Sequence, residues 1–236
     1  MLSSMFSLAC RHDAVSRNVV RDTTPVQAVH KPPKALTERQ VQTLRGKLAG
    51  DKKAVAADLP DLVDYMLGTG VRIGEALALK WTDLDLGAAA PTTTIAGTVV
   101  RVPGRGLVIQ DHPKTAAGRR KLMLPAIVVA MLLRRRVDQV DGGELVFPSS
   151  VGTLREPQNV HRQWRGARAR AGFDWITPHS LRRSVATVIG IGDLQAAANQ
   201  LGHSATAVTE RHYVQRTGQG PDARALLDVF GQPADE

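Results

Sequence analysis

The sequence predicts a mainly α-helical protein with one small three-stranded antiparallel β-sheet, an α+β class. Three observations lead there. Apolar residues recur at helical spacing through most of the chain, with cap residues before them and glycines after them. Between Thr92 and Leu124 the texture changes to short β-branched runs separated by turn residues. The 236 residues, 43% hydrophobic and 22% charged with 13 Pro and 21 Gly, describe an ordinary globular chain large enough to bury its own core.

From the start, Leu2 to Val20 reads as one amphipathic helix, with Leu2, Met5, Phe6 and Ala9 at helical spacing, followed by a Pro-containing linker from Asp22 to Pro33. The opening run to Cys10 has the look of a secretion signal, but it lacks a basic beginning and its apolar stretch is short, so export is not expected. Thr37-Glu-Arg-Gln40 is a capping-box pattern opening a helix to about Leu48. A second helix is expected from about Ala54 to Leu67, stopped by Gly68 and Gly70, and a short one from Gly74 to Lys80. Thr93–Val100, Gly106–Gln110 and Arg119–Leu124 are the three expected strands, with Pro103-Gly104 and residues 116–118 between them. Pro125 opens a strongly apolar helix to about Val140, closed by Asp141-Gly-Gly. The next helix, Gln158 to Ala171, sets Arg162, Arg165, Arg168 and Arg170 around Trp164. Thr177-Pro178 supplies an N-cap and a proline at the first helical position for a helix carrying His179, Arg182 and Arg183 to about Ile189. Asp193 caps another that stops at Gly202, and a last pair covers about Ala205–Val214 and Asp222–Phe230. The organisation is therefore an N-terminal helix and linker (1–35), a main body (36–216) and a tail helix (217–236).

The charge balance gives the first hint of a partner. Lys and Arg number 31 against 22 Asp and Glu, a surplus of +9 that favours polyanions, because each cation placed at a phosphate releases counterions. DNA or RNA is the natural partner, although a basic surface also serves solubility. The single cysteine, Cys10, allows neither an internal disulfide nor a cysteine-rich zinc site and fits a reducing compartment such as the cytoplasm. No apolar run reaches the roughly 20 residues of a membrane helix, so no membrane partner is expected.

Several polar residues stand out. His179 and Arg182, three apart, share the first turn of a helix whose N-terminal N–H groups favour an anion, although a lone pair of this kind is more often a solvated surface feature. Arg72 lies between Gly70 and Gly74, where missing side chains permit close approach. His203 follows a helix-stopping glycine, and Tyr213, one of two tyrosines, sits in a polar stretch beside His212, which places a phenol among histidines and arginines. Trp81, Trp164 and Trp175 read as core aromatics.

Thr69-Gly-Val-Arg72-Ile-Gly-Glu75, Pro178-His-Ser-Leu-Arg182-Arg183, Leu201-Gly-His203-Ser204 and Tyr213, in this order, resemble the catalytic domain of tyrosine recombinases, the phage integrase family. The resemblance covers about Leu36 to Val214, and His112-Pro-Lys114-Thr115 followed by Arg119-Arg-Lys121 is similar to the family's turn bearing a catalytic lysine, with Lys114 the candidate and Lys121 the alternative. It implies the recombinase catalytic-domain fold and a metal-free, cofactor-free phosphoryl transfer on double-stranded DNA: Tyr213 as nucleophile, Arg72 and Arg182 on the non-bridging oxygens, His179 as base, Lys114 as acid and His203 as a donor to the phosphate. Arg183, Arg162, Arg165 and Arg168 would meet flanking phosphates, or form a solvated charged face. Family members look like a clamp in which a helical core-binding domain precedes the catalytic one; Met1–Val20 resembles its final helix, so the chain looks like a truncated or minimal integrase from a bacterium or phage. The tail helix, with Leu226, Leu227, Val229 and Phe230, is expected to dock on a neighbouring copy in a tetramer on DNA, with docking on its own domain as the alternative. A non-catalytic DNA-binding remnant of the same fold, and a type IB topoisomerase, remain open beside the recombinase.

Overall fold

The computed structural model describes residues 2–23, 35–111, 119–139, 143–190, 193–202 and 223–231. The chain divides into two units, residues 1–33 and 34–236. In the first, α1 (Leu2–Arg11) ends well before Val20, and a separate 3₁₀ turn follows at Val19–Asp22. The single long helix read from the sequence is broken because Asp13 turns left-handed at φ 53° and Asn18 folds back, its amide donating to Ser3 O and Ser7 Oγ at 2.8 Å each. The expected linker lies almost wholly outside the described residues.

In the second unit, α2 (Glu38–Gly50) carries the expected capping box, with Gln40 N donating to Thr37 Oγ1 and Thr37 N donating to Gln40 Oε1. The helix expected from Ala54 to Leu67 is instead two, α3 (Lys52–Ala56) and α4 (Leu59–Thr69). Pro60 cannot supply an interior N–H, so the helix restarts there. Asp58 at the break takes φ 54°, and its carboxylate is held bidentately by Arg135 at 2.6 and 2.5 Å. A short α5 (Ile73–Leu77) follows.

The three-stranded antiparallel sheet exists, but its members differ from those expected. Its order is β1 (Leu84–Asp85), β2 (Thr92–Ile95), β5 (Arg120–Met123), while β3 (Thr98–Val102) and β4 (Gly106–Gln110) form a separate hairpin. The run Thr93–Val100 is thus split between two sheets at Gly97, where a Cβ would stand 2.7 Å from Ile109 Cγ2 and 3.0 Å from Gln110 O. Only glycine lets the chain cross so near the hairpin.

Helices α6 (Ala126–Asp138), α7 (Pro157–Arg170), α8 (Pro178–Gly190) and α9 (Leu194–Leu201) occupy the expected places. Asp193 accepts from Gln195 N and Ala196 N, and Gly202 closes α9 at φ 64°. Of the last expected pair, Ala205–Val214 lies outside the described residues, and the tail helix is α10 (Arg224–Leu227) followed by a 3₁₀ turn to Gly231. It docks on its own domain. Leu227 and Phe230 join the one hydrophobic core that also contains Leu44, Tyr65, Val128 and Val185, and Arg45 Nη1 donates to Phe230 O at 2.9 Å. Most of the apolar surface expected to meet a neighbouring copy is therefore consumed within the chain, with Leu226 the exposed remainder. No helix among the described residues is long and apolar enough to cross a membrane.

Candidate functional site

Helix α4 ends at Gly70, whose φ of +71° reverses the chain. A Cβ there would meet Leu201 Cδ2 at 2.8 Å and Val185 Cγ1 at 3.0 Å, so glycine lets α4, α8 and α9 converge. Two residues later Arg72 opens α5. Its backbone N donates to Glu75 Oε2 and its Nη1 to Glu75 Oε1, both at 2.9 Å, while half of its side chain stays exposed.

Glu75, 6% exposed, is gripped from the other side by Arg120 of β5, Nη2 to Oε2 at 3.0 Å. Arg120 Nε donates to Gln200 O at 2.9 Å, and Gln200 Nε2 returns a bond to Thr69 O at 3.0 Å. Arg182 of α8, 3% exposed, donates from Nη1 to Gly70 O at 2.7 Å and from Nη2 to Leu201 O at 2.6 Å. Its cation thus serves the C-terminal carbonyls of α4 and α9 together, where the helix dipoles favour positive charge.

His179, exposed on the first turn of α8, completes the group. Thr177 caps that turn, accepting from Ser180 N at 3.1 Å. Partial burial, then the nearby charges of Arg183, Arg182 and Arg72, lower the imidazole below its usual 6.5, so it is neutral at pH 7. Burial, reinforced by Arg72, pushes Arg182 down to about 9, still charged at neutrality. Glu75 is opposed by desolvation, but Arg120 and the Arg72 donors outweigh that and hold its carboxyl below 4.5. Two guanidinium groups, of Arg72 and Arg120, bond one carboxylate, and Arg182 adds a third positive charge near it; the surplus suits an anion with several oxygens, such as a phosphate.

The fold brings Arg72, His179 and Arg182 near one another. Lys114, His203 and Tyr213 lie outside the described residues, as does His212. Lys121 is exposed on the strand face opposite Arg120. The second tyrosine, Tyr65, is fully buried, its hydroxyl 2.9 Å from Thr93 Oγ1, and burial raises its pKa, which leaves it inert. Sequence reasoning missed Arg120 and Gln200. The signal for Arg120 was present: it alternates with Leu122 and Leu124 on the buried face of the strand.

Along α7, Arg162 and Arg165 are exposed and line a concavity with Arg101, Asn159 and His161. Arg168 departs from the expected basic face. It turns inward and donates to Ile176 O, the carbonyl that also receives Trp164 Nε1 at 3.1 Å. Arg183 is half-buried beside His179. Trp164 is buried and Trp81 half-buried beneath the Arg136 guanidinium, but Trp175 is 37% exposed rather than in the core, the turn before α8 carrying it to the surface.

Comparison with known proteins places this geometry in context. The model of the phage integrase family matches residues 34–219. A protein described as tyrosine recombinase XerC from Rhodospirillum centenum is 30% identical over 234 residues, covering 96% of this chain and 62% of that protein. An integrase from Streptomyces ambofaciens is 32% identical, covering 87% of this chain and 55% of its own length. The chain thus spans about 62% of the first of these relatives. Among solved structures, the Tn1549 transposon integrase in complex with a circular intermediate DNA superposes with a TM-score of 0.73 at 22% identity, over 90% of this chain and 72% of that one. A lambda integrase dimer bound to a COC′ core site gives 0.57 at 18% identity, over 88% and 70%.

Proposed function

The chain belongs to the phage integrase family, and from that premise we propose that it cleaves and rejoins double-stranded DNA through a 3′-phosphotyrosyl intermediate. The observation that carries the reading is the convergence of Arg72, Arg182 and His179 where α4, α8 and α9 meet, beside a carboxylate too few to neutralise them.

The two guanidiniums take the non-bridging oxygens of the scissile phosphate and stabilise the charge that builds as phosphorus becomes five-coordinate. Tyr213 Oη attacks phosphorus, the bond to the 5′ oxygen breaks, and a 3′-phosphotyrosyl ester and a free 5′-hydroxyl result. A phenol of ordinary pKa about 10 needs a base near neutrality. His179, neutral at pH 7, is able to accept that proton. Lys114 protonates the departing 5′ oxygen and His203 donates a hydrogen bond to the phosphate. The bond energy is kept in the ester, so the reverse attack by a 5′-hydroxyl of another duplex completes exchange without a nucleotide cofactor. Arg162, Arg165 and Arg183 meet flanking phosphates and set register. Two cleavages per exchanged duplex call for several copies assembled on DNA.

The test is a nicked DNA half-site from which the short fragment beyond the cleaved bond diffuses away, trapping the ester. The expected result is a denaturation-resistant protein–DNA adduct that disappears with Tyr213→Phe. An adduct that survives in that variant would move the nucleophile elsewhere, and no adduct from the unaltered chain would leave a DNA-binding protein of the same fold.

A further inference from the structure

Arg120 has no part in the transfer just described, yet it is among the most deeply buried charges of the described residues, 3% exposed. We propose that Arg120 is a positioning residue that fixes the reactive orientation of Arg72 by clamping Glu75; this inference rests on the cleavage reading above. The argument is geometric. Arg72 is half exposed and would sample many rotamers on its own. Its backbone N and its Nη1 both donate to the Glu75 carboxylate, one to each oxygen. That carboxylate is fixed in turn by Arg120 Nη2 on Oε2. Arg120 is itself fixed by its strand, where it pairs with Ile95, and by Nε on Gln200 O in the last turn of α9.

A planar guanidinium serves these two directions at once, Glu75 through Nη2 and Gln200 O through Nε. A lysine ammonium is a point charge without that fork. The relay therefore runs from a rigid strand, through a buried carboxylate, to the half-exposed guanidinium of Arg72. Arg182 needs no such relay, because two helix-end carbonyls hold it directly.

The test uses the full chain, the trapping half-site and three readouts: adduct formation rate at saturating DNA, DNA affinity and thermal melting. Arg120→Lys is expected to form adduct about 100-fold more slowly with unchanged affinity, the loss typical of a misplaced catalytic group. Arg72→Lys is expected to lose about 100- to 1000-fold. The double variant is expected to fall within about threefold of the worse single one, because both changes disable the same guanidinium. Losses that multiply, or an Arg120→Lys protein of full rate, would overturn the proposal while leaving cleavage itself intact. No adduct from the unaltered chain would remove both readings together. Should Arg120→Lys fail to fold, Glu75→Asp draws the carboxylate back by one methylene from the other side of the clamp, and the same cycle with Arg72→Lys decides the matter.

Discussion

Replacing Gly70 by alanine tests the junction on which the site is built. At φ +71° a side chain costs about 1–2 kcal/mol in backbone strain. The new Cβ would sit 2.8 Å from Leu201 Cδ2 and 3.0 Å from Val185 Cγ1, both buried, and overpacking of that kind costs about 1–3 kcal/mol. Together these give about 2–5 kcal/mol, a large part of the 5–15 kcal/mol by which a domain is stable. For a chain of this length that corresponds to a fall in Tm of roughly 4–20 °C. Gly46 is the internal control, since it lies on the exposed face of α2 with nothing within 4 Å of its would-be Cβ. Gly46→Ala is expected to stabilise by about 0.5–1 kcal/mol through helix propensity alone. Thermal unfolding of the two variants by circular dichroism reads both. Because Gly70 O accepts from Arg182, Gly70→Ala should also slow adduct formation more than it weakens DNA binding. Equal behaviour of the two variants would refute the reasoning that α4, α8 and α9 meet at a position only glycine fits.

Two further outcomes follow from the charges. Glu75 is held below 4.5 in the fold, so the folded chain binds fewer protons there than the unfolded one, and its contribution is present above that value and lost as pH falls through the folded one. Glu75→Gln, which removes the carboxylate charge that Arg120 and Arg72 both bond, is expected to cost about 3–5 kcal/mol at pH 7, and the gap to the unaltered chain in denaturant melts should shrink below pH 4.5; a gap independent of pH would contradict the ion pair. On α7, Arg165→Ala is expected to weaken DNA binding and reduce the slope of log affinity against log salt by about 1, whereas Arg168→Ala, whose guanidinium is spent on Ile176 O, should lower Tm and leave the slope unchanged; equal slope changes would return Arg168 to the DNA-facing surface.

Sequence is legible where the structure uses local physics. The Thr37–Gln40 box, the Asp193 cap and the Gly202 stop are each settled by residues within four positions. The break at Asp58–Pro60 was legible too, since a proline cannot sit inside the helix drawn through it. What local pattern could not supply was pairing across distance. Glu75 and Arg120 are separated by 45 residues and Arg120 and Gln200 by 80, and Arg168 turns inward only because the carbonyl of Ile176 is brought beneath it. In the same way the tail helix, judged by its apolar residues, suits a neighbour or its own domain equally until the core that receives Leu227 and Phe230 exists.

The double duty of Arg182 bears on how relatives of this chain should be read. Its guanidinium closes two helix ends, so a descendant that had abandoned chemistry altogether would still need that arginine to stand. Arg72, half exposed with its Nη1 on the Glu75 carboxylate alone, and His179, exposed, close no helix end. On the proposed chemistry, their loss would disturb the architecture less than loss of Arg182 while ending the reaction, which makes the two more exposed residues, rather than the deeply seated one, the marker that would separate a working enzyme from its silent look-alike.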